Sequence, residues 1–216
     1  MNVASYIDYT ILKPDCTIDD IKEVCKEAME HEVKAVCIPP FYIRDAARLL
    51  KDSPTKVVTV IGFPMGYSAT PAKVEEIKRA VNDEIDEVEV VVNINAVKKG
   101  DWAHVKNDID STTLAAHSKG KIIKLIFETS LLTQEEIKQL CEIVEEKGVD
   151  YVRISTGMQE ENESLEMIQF LRQHLSAKIK IKASVTTGSV EDIRKMIEAG
   201  ADRIGCSSVI AIASNA

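Results

Sequence analysis

Strand-like apolar runs and helical patterns alternate eight times along this chain without a break, and that rhythm leaves few folds open. Ile7-Asp8-Tyr9-Thr10, Ala35-Val36-Cys37-Ile38 and residues 56–61 read as the first three strands. Residues 88–92, 122–127, 149–155, 178–183 and 203–205 read as the other five. Helical spacing fills the gaps. Thr17 with Asp19 and Asp20 opens the first helix, in which Ile21, Val24, Cys25 and Ala28 keep one face as far as His31. A second passes through Ala46, Ala47 and Leu50, and Pro71 suits the first turn of a third that runs to about Asn82. Residues 97–117 are mostly helical around a Lys99-Gly100-Asp101 punctuation, and Thr133 with Glu136 three residues on forms a capping box. Asn162 is the expected N-cap of a helix to roughly Leu175; another spans 189–199, and a last short one starts near Ser207.

Short strand–helix connections in unbroken alternation mean parallel strands. Eight such units in 216 residues, 45% of them apolar, fit one α/β domain over residues 1–216, a single (β/α)8 TIM barrel. A doubly wound open sheet is the alternative, but it usually carries a Gly-rich dinucleotide loop after its first strand, and none follows Thr10.

Charge narrows the partners. A net charge of -8 without a basic tract argues against nucleic acid or an anionic membrane. No apolar run nears the ~20 residues of a membrane span, and the first residues lack the regions of a signal peptide. A cytoplasmic protein is expected. The five cysteines show no Cys-x-x-Cys or ligand spacing, so they read as reduced thiols, with Cys37 either a small buried hydrophobe or a thiol near a site. The four histidines fall outside any ligand motif, so no metal and no cofactor are expected.

Strand side chains alternate between two faces. On 88–92, Val88, Val90 and Val92 make the apolar face, which sends Glu89 inward. The same reasoning turns Lys124, Ile126 and Glu128 inward on the fifth strand, and Arg153 and Ser155 on the sixth. Lys178, Lys180 and Lys182 follow on the seventh, the first two at the bottom rim near Glu87. The interior therefore collects Glu89, Lys124, Arg153 and Lys182 on neighbouring strands. Buried charges must be paired or neutralised. Two readings stay open: an ion-pair network that fills the barrel, or a cation cluster that lowers the pKa of one lysine and makes its amine nucleophilic.

With these residues placed, the chain resembles the 2-deoxyribose-5-phosphate aldolases nearly end to end. The resemblance is carried by residues 7–14 (IDYTILKP), 60–66 (VIGFPMG), 124–132 (KLIFETSLL), Ser155-Thr156-Gly157, Lys182-Ala183-Ser184 and Arg203-Ile204-Gly205-Cys206-Ser207-Ser208. It implies a cofactor-free class I aldolase barrel that joins small aldehydes to a sugar phosphate through a Schiff base, a chemistry of deoxyribonucleotide catabolism. It also implies a catalytic group drawn from Lys182, Glu89, Lys124, Asp8 and the sixth-strand position. That position, where the family carries its imine lysine, holds Arg153. The aspartate position on the fourth strand holds Glu89, and a glycine pair expected after the seventh strand is Val185-Thr186. Phosphate contacts are implied at Gly157, Gly205, Ser207 and Ser208, with the Thr186 hydroxyl standing in for the lost glycines.

Arginine has no lone pair for carbonyl attack at neutral pH. The expectation is thus an aldolase-type barrel with weak, altered or lost activity, in which Lys182 is the candidate to take over the imine. The alternative is a catalytically silent barrel that binds an anionic or carbonyl metabolite, or a protein partner, through Arg153. A homodimer is left open.

Overall fold

The computed structural model describes residues 2–158, 164–185 and 189–207. Eight strands run in parallel and close on themselves in sequence order. They are β1 (Ile7–Thr10), β2 (Ala35–Ile38), β3 (Lys56–Ile61), β4 (Glu87–Val91), β5 (Ile122–Ile126), β6 (Tyr151–Arg153), β7 (Lys180–Val185) and β8 (Arg203–Cys206). The helices around them are α1 (Ile18–Glu30), α2 (Ile43–Leu49), α3 (Thr70–Asn82), α4 (Ile94–Lys99), α5 (Trp102–His117), α6 (Gln134–Lys147), α7 (Leu165–His174) and α8 (Val190–Glu198). The expected (β/α)8 barrel is what forms.

Local chemistry explains where the elements begin. Thr17, Thr133 and Ser189 each cap a helix and take part in a capping box with Asp20, Glu136 and Asp192. Such a box satisfies two of the donors a helix start leaves open. Three aspartates fasten the bottom of the barrel in pairs. Asp86, just before β4, accepts the Val57 N–H of β3 at 2.9 Å. Asp150, before β6, accepts the Ile123 N–H of β5 at 2.9 Å, and Asp202, before β8, accepts the Ile181 N–H of β7 at 2.9 Å. Each bond ties the entry of one strand to its neighbour and pins the register there.

The apolar core lies between barrel and helices. Val88, Val90, Ile123, Leu125, Val152, Ile181 and Ile204 face outward into it from the strands. Inside the barrel the side of β2 and β3 is apolar, with Ala35, Cys37, Val58 and Val60 roofed by Leu12 and Phe63. One buried ion pair sits outside the barrel. Lys73 of α3 donates to Asp108 of α5 at 2.7 Å and to the Val91 carbonyl at 2.9 Å, and Asp108 also accepts from Thr70 at 2.6 Å.

Some expectations need adjustment. The helical stretch from 97 is two helices, because Gly100 takes φ 72 and closes α4 before Asp101 caps α5. β7 starts at Lys180 rather than 178, and the Lys180 ammonium lies 5.4 Å from the Tyr151 ring centre instead of meeting Glu87. The cap of α7 is Ser164, which accepts from the Met167 N–H. Asn162 and the helix expected to begin near Ser207 fall on residues outside those described.

Candidate active site

The other half of the barrel interior is charged. Asp8 of β1, Glu87 and Glu89 of β4, Lys124 of β5, Arg153 of β6, Lys182 of β7 and Arg203 of β8 are all buried. Lys124 Nζ donates to Asp8 Oδ2 at 2.9 Å and to Glu89 Oε1 at 3.1 Å, and lies 2.7 Å from Glu87 Oε2. Lys182 Nζ lies 2.7 Å from Asp8 Oδ2 and 2.6 Å from Glu89 Oε1. Arg203 Nε donates to Asp8 Oδ1 at 2.6 Å, and its other nitrogens approach Glu87 at 3.4 and 3.5 Å. Arg153 Nη1 pairs with Glu89 Oε2, while Nη2 donates to the Thr156 carbonyl at 3.1 Å.

Every carboxylate in this set meets at least two cations. That connectivity is what buried ions need, since each costs several kcal/mol to strip of water and recovers it only through partners. The protonation states follow. Burial by itself would raise the carboxyl of Glu89, but Lys182, Arg153 and Lys124 outweigh it and hold it well below the usual carboxylate range. Asp8 is lowered in the same way, against burial, by Lys124, Lys182 and Arg203. Burial would lower Lys124, yet Asp8, Glu89 and Glu87 raise it above an ordinary lysine. The sequence reading of a cation cluster that lowers a lysine therefore fails for Lys124: the cations alternate with carboxylates instead of crowding one another. Cys37 Sγ lies 3.9 Å from Glu89 Oε2, and burial, followed by that carboxylate, pushes its thiol up to about 12.

Above this network, at the carboxyl ends of the strands, opens a cleft of about 380 Å³. In a (β/α)8 barrel this is the end where chemistry is done. Thr10, Leu12, Arg153, Thr156, Ser184 and Gly205 are among its walls. Arg153, 2% exposed, reaches the cleft, whereas Lys182, 0% exposed, is not part of its lining. The lysine is nonetheless near. A Cβ added at Gly205 would lie 3.3 Å from Lys182 Cε and 3.1 Å from Ser184 Oγ, so a side chain at this position would crowd both.

The turn after β6 is tightly held. Gly157 takes φ 77, and Glu128, just past β5, takes φ 55. Glu128 Oε2 accepts from the Thr156 N–H at 3.0 Å and from Thr156 Oγ1 at 2.5 Å.

Of the residues expected at the site, Asp8, Glu89, Lys124, Arg153 and Lys182 come together in the network, and Gly157, Gly205 and Ser207 line the cleft. Thr186 and Ser208 lie outside the described residues. Arg203 was missed. It shares a face with Gly205, and the apolar Ile204 and Cys206 opposite were the available signal. The hold of Glu128 on Thr156 was missed as well, and no spacing in the sequence announces it.

Comparison with known proteins bears on this site. The family model described as DeoC/LacD family aldolase matches residues 2–211. A deoxyribose-phosphate aldolase of Desulfitobacterium hafniense is 45% identical over 212 residues, covering 98% of this chain and 97% of that one. One from Thermococcus gammatolerans is 40% identical, covering 100% and 97%. Among solved structures, QR15, an aldolase, superposes with a TM-score of 0.92 at 36% identity, covering 99% of this chain and 95% of that one. The tetrameric deoxyribose phosphate aldolase of Aeropyrum pernix does so with a TM-score of 0.89 at 25% identity, covering 99% and 90%.

Proposed function

The chain belongs to the DeoC/LacD family of aldolases, and on that premise we propose a deoxyribose-phosphate aldolase-like protein that takes a small aldehyde or sugar phosphate in the cleft above Arg153, with imine chemistry lost. The observation that carries this reading is that a guanidinium, not an amine, reaches the cleft from β6. A Schiff-base aldolase needs a neutral amine to attack a carbonyl and expel water; the resulting iminium then draws electrons from the carbon–carbon bond. A guanidinium keeps its proton and offers no such lone pair. What Arg153 does offer is a fixed charge and a fork of donors, suited to a phosphate or to a polarised carbonyl oxygen. The nearest amine, Lys182, is bridged to Asp8 and Glu89. To attack, it must shed a proton and leave both carboxylates short of a partner.

In this reading Arg153 orients the ligand, and Glu89, with Asp8 and Lys124, sets the field around it. Gly157, Gly205 and Ser207, with Thr186 and Ser208, hold a phosphate. A cytoplasmic location accords with five cysteines that form no disulfide. A homodimer is the proposed assembly.

A second reading keeps turnover. Lys182 becomes the imine lysine, Arg153 its neighbouring cation and Glu89 the proton carrier. It is favoured by the closeness of Lys182 Cε to Gly205 in the cleft floor. Deoxyribose 5-phosphate cleavage separates the two. The first predicts no turnover above background, together with thermal stabilisation by inorganic phosphate that Arg153→Met removes. Cleavage by the unaltered chain would exclude it.

A further inference from the structure

We infer that Glu128, which does not line the cleft, is the positioning residue for Arg153 and acts through Thr156. This rests on the reading that Arg153 is the ligand-facing group. The Thr156 residue is gripped from two sides. Glu128 Oε2 takes its N–H at 3.0 Å and its hydroxyl at 2.5 Å, and Arg153 Nη2 donates to its carbonyl at 3.1 Å. The same hydroxyl oxygen accepts the Met158 N–H at 3.2 Å, so the turn at the cleft wall is organised around one threonine. Among the described residues Arg153 thereby has two anchors. Glu89 holds Nη1 from inside the barrel, and the Thr156 carbonyl holds Nη2 at the rim. Only the rim anchor depends on Glu128.

Two further facts single this residue out. Glu128 is 3% exposed, yet makes no ion pair with a cation of the interior network among the described residues. Its backbone takes φ 55, ψ 60, a left-handed conformation that residues with a side chain seldom adopt. Strained backbone of this kind persists where the surroundings impose it, commonly beside a site. Here it turns the carboxylate across to the β6 turn, and without Glu128 the Thr156 carbonyl loses its fixed place and the guanidinium loses its second anchor.

The test uses Glu128→Gln, whose amide oxygen can still accept from Thr156, and Glu128→Gly. Glycine removes the carboxylate while adopting φ 55 freely, which keeps the fold accessible. Inorganic phosphate is titrated by calorimetry into the whole chain and each variant, alone and combined with Arg153→Met. The inference expects Glu128→Gln within about threefold of the parent and Glu128→Gly at least about tenfold weaker, with no further loss once Arg153 is gone, since coupled residues are non-additive. An equal loss in both backgrounds would overturn it. Exchange of the Arg153 guanidinium protons, followed in ¹⁵N-arginine-labelled protein without ligand, decides the same point independently. Protection should persist in Glu128→Gln and fall in Glu128→Gly; unchanged protection would overturn the inference. If phosphate binds no form of the protein, the anion reading fails alone, and the exchange comparison still decides the role of Glu128.

Discussion

Arg153 and Glu89 form a buried ion pair across the barrel interior, from β6 to β4 with β5 between them. Arg153 stands level with Lys182 on β7, and Glu89 level with Lys124 on β5, so the pair runs diagonally between two rows of the barrel. Glu89 is also the shared partner of both lysines. Removing its charge with Glu89→Gln leaves three buried cations short of a counter-charge. Breaking a buried pair in this way costs about 3–5 kcal/mol. Urea unfolding of the variant should show a loss of that size; a loss under about 1 kcal/mol, the value of an exposed pair, would mean that water reaches the network.

The same network sets the pH limits. Asp8 and Glu89 are depressed in the folded chain, so the stability they contribute is complete above their unfolded values near ~4 and is lost as pH falls through the folded ones. Lys124 is raised, so its contribution is complete below an unfolded value near ~10.4 and is lost as pH climbs beyond it. Thermal melts should be nearly flat with respect to these groups from about pH 5 to 9 and fall outside it. Acid loss that begins near pH 6 would assign the transition to other groups.

Arg153→Lys supplies an amine at the cleft floor. Paired with Glu89→Asp, which shortens the carboxylate by one methylene, it should bring deoxyribose 5-phosphate cleavage to on the order of a hundredfold above the background seen with the parent, about 2.7 kcal/mol in barrier. Arg153→Lys alone should gain less, because the longer Glu89 then sits against the shorter lysine. Initial rates of the two variants and the parent are the measurement. No gain from either would place the divergence in the Val185-Thr186 segment too.

Lys73 and Asp108 test whether buried charge outside the barrel serves the fold alone. Lys73→Met leaves Asp108 buried without its cation and should cost about 3–5 kcal/mol. Adding Asp108→Leu should recover most of that loss, since an apolar pair of similar size often replaces a buried ion pair without penalty. Failure of the double variant to recover would show that the Lys73 bond to the Val91 carbonyl, not the ion pair, is what the fold requires.

The barrel was legible because its elements announce themselves locally. Helix starts at Thr17 and Thr133 and the two-residue alternation of β4 to β7 place elements and faces without tertiary information. The alternation also put Glu89, Lys124, Arg153 and Lys182 inside together. It says nothing about which ions touch, because that depends on barrel shear and side-chain reach. Hence Glu87 was expected near Lys178 and Lys180 and is found with Lys124 and Arg203. Arg203 escaped notice because its strand-mate on the same face is Gly205, which has no side chain to mark a direction. Lys73 and Asp108 sit on helices where charged residues ordinarily face water, and only the packing of α3 on α5 reveals the pair. The hold of Glu128 on Thr156 depends on a left-handed backbone that glutamate seldom adopts.

The central claim is that this aldolase-family chain does not form the imine. The most direct measurement is borohydride reduction of the unaltered protein with acetaldehyde, read by intact mass and peptide mapping. Any iminium is then trapped as an ethyl amine. The account predicts no ethyl adduct on Lys182 or Lys124, while the Arg153→Lys, Glu89→Asp variant gains one at position 153. An ethyl group on Lys182 of the unaltered chain would contradict it and establish the exchanged-role mechanism instead.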